Sequence, residues 1–251
     1  MSAVHDDPRW RGLFAAAAAG AILTALFIPL QVVVFIAWPP PTSHALGAWF
    51  DLFTANPVLG LLSLDLLMMV EQVLMIPVVL AIWLLAHRSS ESAALLGTAL
   101  WLAGGVLILS SNTGFEMLSL SRGHAAASAT DQATYLAAAQ GMLASYWDMG
   151  TSFVFGYVIV SVGAILVGVT MMRARLFGLA AGRLLVIANV IGLGIFVPGI
   201  GVALALGSVV ILWVWYLIAG WRLARLARPR AAGASDAAVA TPTIAAPASA
   251  R

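Results

Sequence analysis

Six long apolar runs restrict this chain more than any other feature, because several exceed the roughly 20 residues that cross a hydrocarbon core about 30 Å thick. A segment surrounded by lipid must satisfy its backbone donors and acceptors internally, and an α-helix does so. The expected fold is therefore all-α: a polytopic bundle of about six transmembrane helices at 13–38, 57–86, 93–119, 132–172, 176–197 and 200–224. Composition agrees. Of the 251 residues 62% are apolar and 9% charged, whereas about a quarter are charged in a soluble domain.

The first 12 residues, MSAVHDDPRWRG, form an N-terminal segment before the membrane domain, 13–228; residues 229–251 follow it. The run from Leu13 to Trp38 is longer than the roughly 7–15 apolar residues of a signal peptide, and it reads as an uncleaved first span. Six spans place Arg9, Arg11, Arg88, Arg173, Arg175, Arg183, Arg222, Arg225, Arg228, Arg230 and Arg251 on one side and Arg122 alone on the other. Positively charged loops stay cytoplasmic, so both termini are expected inside. Lysine is absent and alanine abundant, which fits a high-GC coding bias and a bacterial cytoplasmic membrane. The basic pI near 9.5 comes from arginines beside apolar spans. Arg173, Arg175, Arg222, Arg225 and Arg228 are candidates for anionic lipid headgroups, not for nucleic acid.

Two runs are too long to cross straight. The second, about 30 residues, must tilt, kink or protrude, and Pro77 is the expected kink. The fourth is longer; Asp131 is a candidate N-cap, and a break at Gly141 or Gly150 would divide an amphipathic outer part from the true span. Trp49, Phe50 and Phe53 at helical spacing suggest a short interfacial helix near 43–55. The stretch 120–131 is a polar outer loop, and Val197-Pro198-Gly199 a tight turn. Beyond Arg230 the small-residue tail reads as disordered.

Polar residues at depth carry the functional question. At 1.5 Å per residue, Glu116 lies about 35 Å, Asp65 about 33 Å and Asp148 about 36 Å from the cytoplasmic ends of their helices. Three carboxylates thus fall at one level near the outer boundary. Glu71 and Gln72 lie deeper; Asn112 lies a turn from Glu116; Thr151 and Ser152 lie a turn inside Asp148; Asn189 is near the middle of span five. Such groups are costly towards lipid, and the expectation is an outward-open polar pocket between spans two, three and four. Arg122 and His124 are its candidate counter-charges. The plainer alternative is that the carboxylates simply reach water and the amides join helices, at about 1 kcal/mol each. Glu71 is too deep to snorkel and should be neutral or paired.

Other signals are weaker. No cysteine is present, and His44 and His124 belong to no metal motif, so no metal or cofactor is expected. Met68, Met69 and Met75 read as packing, and Trp147, Trp213 and Trp215 as interface belt or packing. Gly178 to Gly182 forms one GxxxG, which permits close helix contact without specifying a dimer.

The segments NPVLGLLSLDLLMMVEQVLMIPVVLAIWLLAHR, SNTGFEMLSLS, ASYWDMGTSFVFGYVI and IANVIGLGIFVPGIG, in this order, resemble the DUF4386-type family of bacterial multi-pass membrane proteins. The resemblance implies a helical membrane protein of about this length. It carries over no activity and no catalytic residue, but it singles out NP-x-x-x-L-x-x-LD and F-E-M. The leading functional expectation is a binding, structural or regulatory membrane component. The alternative is a small proton- or cation-linked transporter, and the third a membrane enzyme acting on a lipid or isoprenoid.

Overall fold

The computed structural model describes residues 7–42, 44–147 and 150–228. Among them the regular structure is helical: α1 (Arg11–Ala37), α2 (Leu46–Ala55), α3 (Pro57–Ser63), α4 (Leu66–Ala86), α5 (Glu91–Ser111), α6 (Gly114–Ala126), α7 (Ala129–Trp147), α8 (Thr151–Arg173), α9 (Leu179–Gly192) and α10 (Gly201–Ala227). Six segments built on α1, α4, α5, α8, α9 and α10 are long and apolar enough to cross a membrane. Their outward faces keep Leu26, Ile36, Val106, Phe155, Val202 and Leu206 exposed, each above half of its full area. An apolar belt of that extent belongs in lipid. The chain is a multi-pass membrane protein.

The spans close into a ring. Helix α1 packs between α10 and α4, α4 leads to α5, α5 to α8, α8 to α9, and α9 returns to α10. The seam between α5 and α8 is the most extensive, and glycine creates it. A Cβ on Gly104 would lie 2.8 Å from the Gly156 carbonyl, and one on Gly163 would lie 2.8 Å from the Gly97 carbonyl. Gly97 and Gly104, seven residues apart, thus meet Gly156 and Gly163, also seven apart, and the two backbones touch. Small residues at such a seam supply van der Waals contact where lipid offers no hydrophobic drive for helices to associate. The GxxxG motif works differently. Gly182 packs against Gly168 of α8, whereas Gly178 precedes α9 at φ 91° and has open space around its Cα.

At the arginine end the ring is filled. Phe14, Ala17 and Ala21 of α1, Val78 and Ile82 of α4, Met171 of α8, Leu185 of α9, and Trp215 and Leu223 of α10 form one buried cluster. The opposite end carries a cap of α2, α3, α6 and α7. Trp49, Phe50, Phe53, Met117, Ala139 and Leu143 bury there around Leu64. Residues 46–55 are helical as expected, but their aromatic face meets α6 and α7, not the lipid interface: Trp49 is fully buried and its indole N–H donates to the Thr42 carbonyl at 3.0 Å. The outer loop expected over 120–131 is largely helix, because α6 runs to Ala126 and α7 begins at Ala129.

The two long runs are interrupted at Asp65 and at Gly150. Pro77 stays inside α4; span two is interrupted instead at Leu64–Asp65, where Asp65 takes the left-handed conformation (φ 57°, ψ 37°). Aspartate enters that region more readily than most residues. The NP motif starts α3, with the Asn56 side chain accepting from the Leu59 N–H at 3.0 Å and Pro57 at the first helical position, where its missing N–H costs nothing. The fourth run divides at Gly150, and Gly141 lies inside α7. Helix α7 begins before Asp131, which therefore sits in its first turn and accepts from the Ser128 hydroxyl at 2.7 Å instead of capping it. Span one starts at Arg11, two residues earlier than expected, and Gly199 (φ 82°) supplies the turn after Val197-Pro198. The tail beyond Arg230 lies outside the described residues.

Gly141 has open space around its Cα within α7. Gly141→Ala is expected to stabilise the protein by up to about 1 kcal/mol through helix propensity alone, read as a raised midpoint in thermal unfolding of the detergent-solubilised protein.

Candidate functional site

Five helices bring one side each to a cavity of about 280 Å³ inside the ring, in the half away from the arginines. Helical periodicity selects the lining. Helix α4 contributes Met68, Glu71, Gln72 and Met75; α8 contributes Phe153, Tyr157, Val160, Ser161 and Ala164; α10 contributes Ala205, Ser208, Val209, Leu212 and Tyr216. Each set recurs at spacings of three and four, one stripe of a helix. Trp101 and Ile108 of α5, Asn189 of α9 and Ile195 complete the wall. The lining is mainly apolar with a few polar groups set into it, the usual character of a small-molecule pocket.

The polar centre is Glu71, whose Oε1 accepts from the Tyr216 hydroxyl at 2.7 Å, from α4 to α10 across the ring. No cation pairs with Glu71: the ion pair found among the described residues is Arg9–Asp7, outside the cavity. Glu71 is half-buried and lines the cavity. A second polar corner forms at the end of α9, where a Cβ on Gly192 would lie 2.8 Å from Tyr157 Oη and 3.3 Å from Ser208 Oγ. Glycine there keeps room for both hydroxyls. Ser208 donates to the Ala205 carbonyl at 2.7 Å. Asn189 donates through Nδ2 to the Leu185 carbonyl at 2.8 Å, which leaves its Oδ1 as the atom for other donors. Tyr157 also meets Phe153 face to face and Phe196 edge-on. The site thus offers acceptors and hydroxyls within aromatic and aliphatic walls. It suits an apolar molecule with one donor or positive group.

The structure divides the sequence candidates. Glu71, Gln72 and Asn189 line the cavity together. Met68 and Met75 join them, while Trp213 donates its indole N–H to the Ala25 carbonyl at 2.8 Å and Trp215 is core. Asn112 is buried but serves the backbone: Nδ2 donates to the Leu64 carbonyl at 2.6 Å, and Oδ1 accepts from the Gly114 N–H at 2.9 Å. It ties the break in span two to the break between α5 and α6. Glu116 is exposed, with Phe115 beside it exposed and Met117 buried in the cap, so the F-E-M face turned inwards is the methionine. Asp65 lies at the helix break and does not line the cavity. Thr151 and Ser152 are exposed at the start of α8. Asp148, and the side chain of Trp147, lie outside the described residues. The cavity draws on spans two, three and four, but α9 and α10 share it, and its polar centre is Glu71; of the expected acidic layer, neither Asp65 nor Glu116 lines it.

The expected counter-charges are elsewhere too. Arg122 is exposed, and the His124 ring lies tilted against Phe50 with ring centres 4.8 Å apart. Residues overlooked in the sequence are Tyr157, Ser161, Ser208 and Tyr216. Their signal was legible in part: Ser208 and Tyr216 lie eight residues apart, on one face of an otherwise apolar stretch of helix. No group of three metal-ligating side chains occurs among the described residues. No protein-family model matches the chain, and neither a characterised protein nor a solved structure does.

Proposed function

We propose that this protein is a membrane-embedded binding component for a small apolar molecule bearing one cationic or hydrogen-bond-donating group, with Glu71 as the recognition residue. The observation that carries this reading is the Glu71–Tyr216 pair on the wall of a cavity otherwise lined mainly by apolar side chains. A carboxyl group in so apolar a setting needs donors. Tyr216 provides one, and a ligand would provide the next. With both termini placed inside by the arginine bias, the cavity occupies the outer half of a bacterial cytoplasmic membrane and collects its ligand from that side.

Binding is preferred over conduction because of what lies beneath. Val78, Ile82, Met171, Leu185 and Leu223 fill the arginine half of the ring, so a proton- or cation-linked transporter would have to part that cluster in each cycle. Regulation by the bound molecule is the role most compatible with a closed floor.

Isothermal titration of the solubilised full chain tests the reading with two probes of one shape, benzyltrimethylammonium and its neutral isostere neopentylbenzene. The cation is expected to bind and the isostere to bind more weakly. Glu71→Gln, which retains an acceptor for Tyr216 and hence the fold, should reduce cation affinity about tenfold to a hundredfold, the loss of one carboxylate–ammonium attraction in a low-dielectric site. Equal affinity for both probes, unchanged in Glu71→Gln, would reduce the carboxyl to a packing element.

A further inference from the structure

The opposite end of the ring holds a second cavity, of about 380 Å³, lined by Ala174, Arg175, Leu176, Phe177, Gly178, Arg222, Arg225 and Leu226. Three guanidinium groups border it, and among the described residues no carboxylate does. The link between α8 and α9 is folded back to form its wall. The Leu176 N–H donates to the Met171 carbonyl at 2.9 Å and the Leu176 side chain is buried in the core, anchoring the link. Arg175 and Phe177, on either side, adopt left-handed backbone at φ 49° and 59°. On the α10 side the guanidinium carbon of Arg225 lies 3.7 Å from the Trp221 ring centre, and that of Arg222 lies 5.0 Å away. Cation–π contact of this kind holds a guanidinium in place while leaving its N–H edge free to donate.

We propose that this pocket is a phosphate site, in which Arg175, Arg222 and Arg225 hold the phosphate of an amphiphile and Leu176, Phe177 and Leu226 meet its apolar portion. Three like charges gathered around one space repel each other unless an anion joins them, and guanidinium groups match phosphate oxygens in geometry as well as charge. The arginine ends of α8 and α10 place the pocket at the membrane boundary, where a phosphate and an acyl chain are presented together. The nearby Arg173 donates instead to Ser90 at 3.3 Å and does not line the pocket. The site is therefore three particular arginines, not a diffuse basic surface.

Native mass spectrometry of the full chain, released from mixed micelles of phosphatidylglycerol and phosphatidylcholine, provides the test. The triple variant Arg175→Gln, Arg222→Gln, Arg225→Gln is compared with Arg88→Gln, Arg173→Gln, Arg183→Gln, which removes equal charge from exposed positions at the same end. Retained phosphatidylglycerol should fall about a hundredfold in the first variant, from the loss of three basic contacts, and less than about threefold in the second. A thermal melt matching that of the wild type shows that neither triple has unfolded. Adding millimolar glycerol phosphate separates the sources of the phosphate. Displacement of the lipid identifies a soluble phosphate ester as a ligand, whereas persistence of the lipid adduct identifies the headgroup with its chains. Equal losses in both triples, or no preference for phosphatidylglycerol together with no binding of glycerol phosphate, would overturn the proposal.

Discussion

Gly163→Leu is expected to abolish recovery of folded protein from the membrane. A Cβ at Gly163 would lie 2.8 Å from the Gly97 carbonyl and 3.0 Å from the Leu100 carbonyl carbon, with the Trp101 nitrogen closer still. These are backbone atoms of α5 and cannot rotate away. A leucine there must push the two helices apart, which also opens the Gly104–Gly156 contact one heptad along the same seam. Overpacking commonly costs about 1–3 kcal/mol where neighbours can adjust. Here they cannot, and the loss of a seam that closes the ring should consume most of a stability on the order of 5–15 kcal/mol. Size-exclusion chromatography and thermal unfolding in detergent check this, with Gly12→Leu as control, since Gly12 has no atom within 4 Å of its added Cβ. If Gly163→Leu melts like Gly12→Leu, the helices are not in backbone contact.

Asn112→Leu is expected to cost roughly 2–6 kcal/mol, because it strands two buried backbone groups at about 1–3 kcal/mol each. The Leu64 carbonyl is released by the left-handed turn at Asp65, and the Gly114 N–H by the start of α6; the Asn112 side chain serves both. Asn112→Asp separates the two halves of the clamp. Its carboxylate can still accept from Gly114 but cannot donate to Leu64, where two oxygens would face one another. Thermal unfolding should order the wild type above both variants. Hydrogen exchange should rise first around 60–68 and 110–117. Unaltered melting in both variants would show that the two breaks are held by packing alone.

These two positions mark where reading by sequence succeeds and fails. Asn112 and Glu116 lie only one turn apart in the sequence and meet different surroundings. Asn112 turns inwards to join two helix breaks; Glu116 turns outwards to the surface. Depth along a helix, which 1.5 Å per residue provides, put Asn112 one turn inside Glu116 but could not say which way each pointed. Glu71 was legible because a carboxylate more than a turn inside an apolar span has few tolerable surroundings. Tyr216, its partner, lies 145 residues away, and an isolated tyrosine in an apolar helix does not announce what it faces.

The number of spans, the all-helical class and the segregation of arginine were settled by the chain itself, since lipid leaves a long apolar segment with one way to satisfy its backbone. Span two breaking at Asp65 while Pro77 continues, the aromatic face of α2 turning into a cap, and a cavity shared by five helices were decided by packing. Whether a residue meets lipid, protein or empty space depends on rotation of its helix about its own axis, and neighbours such as the Gly97–Gly163 seam set that rotation.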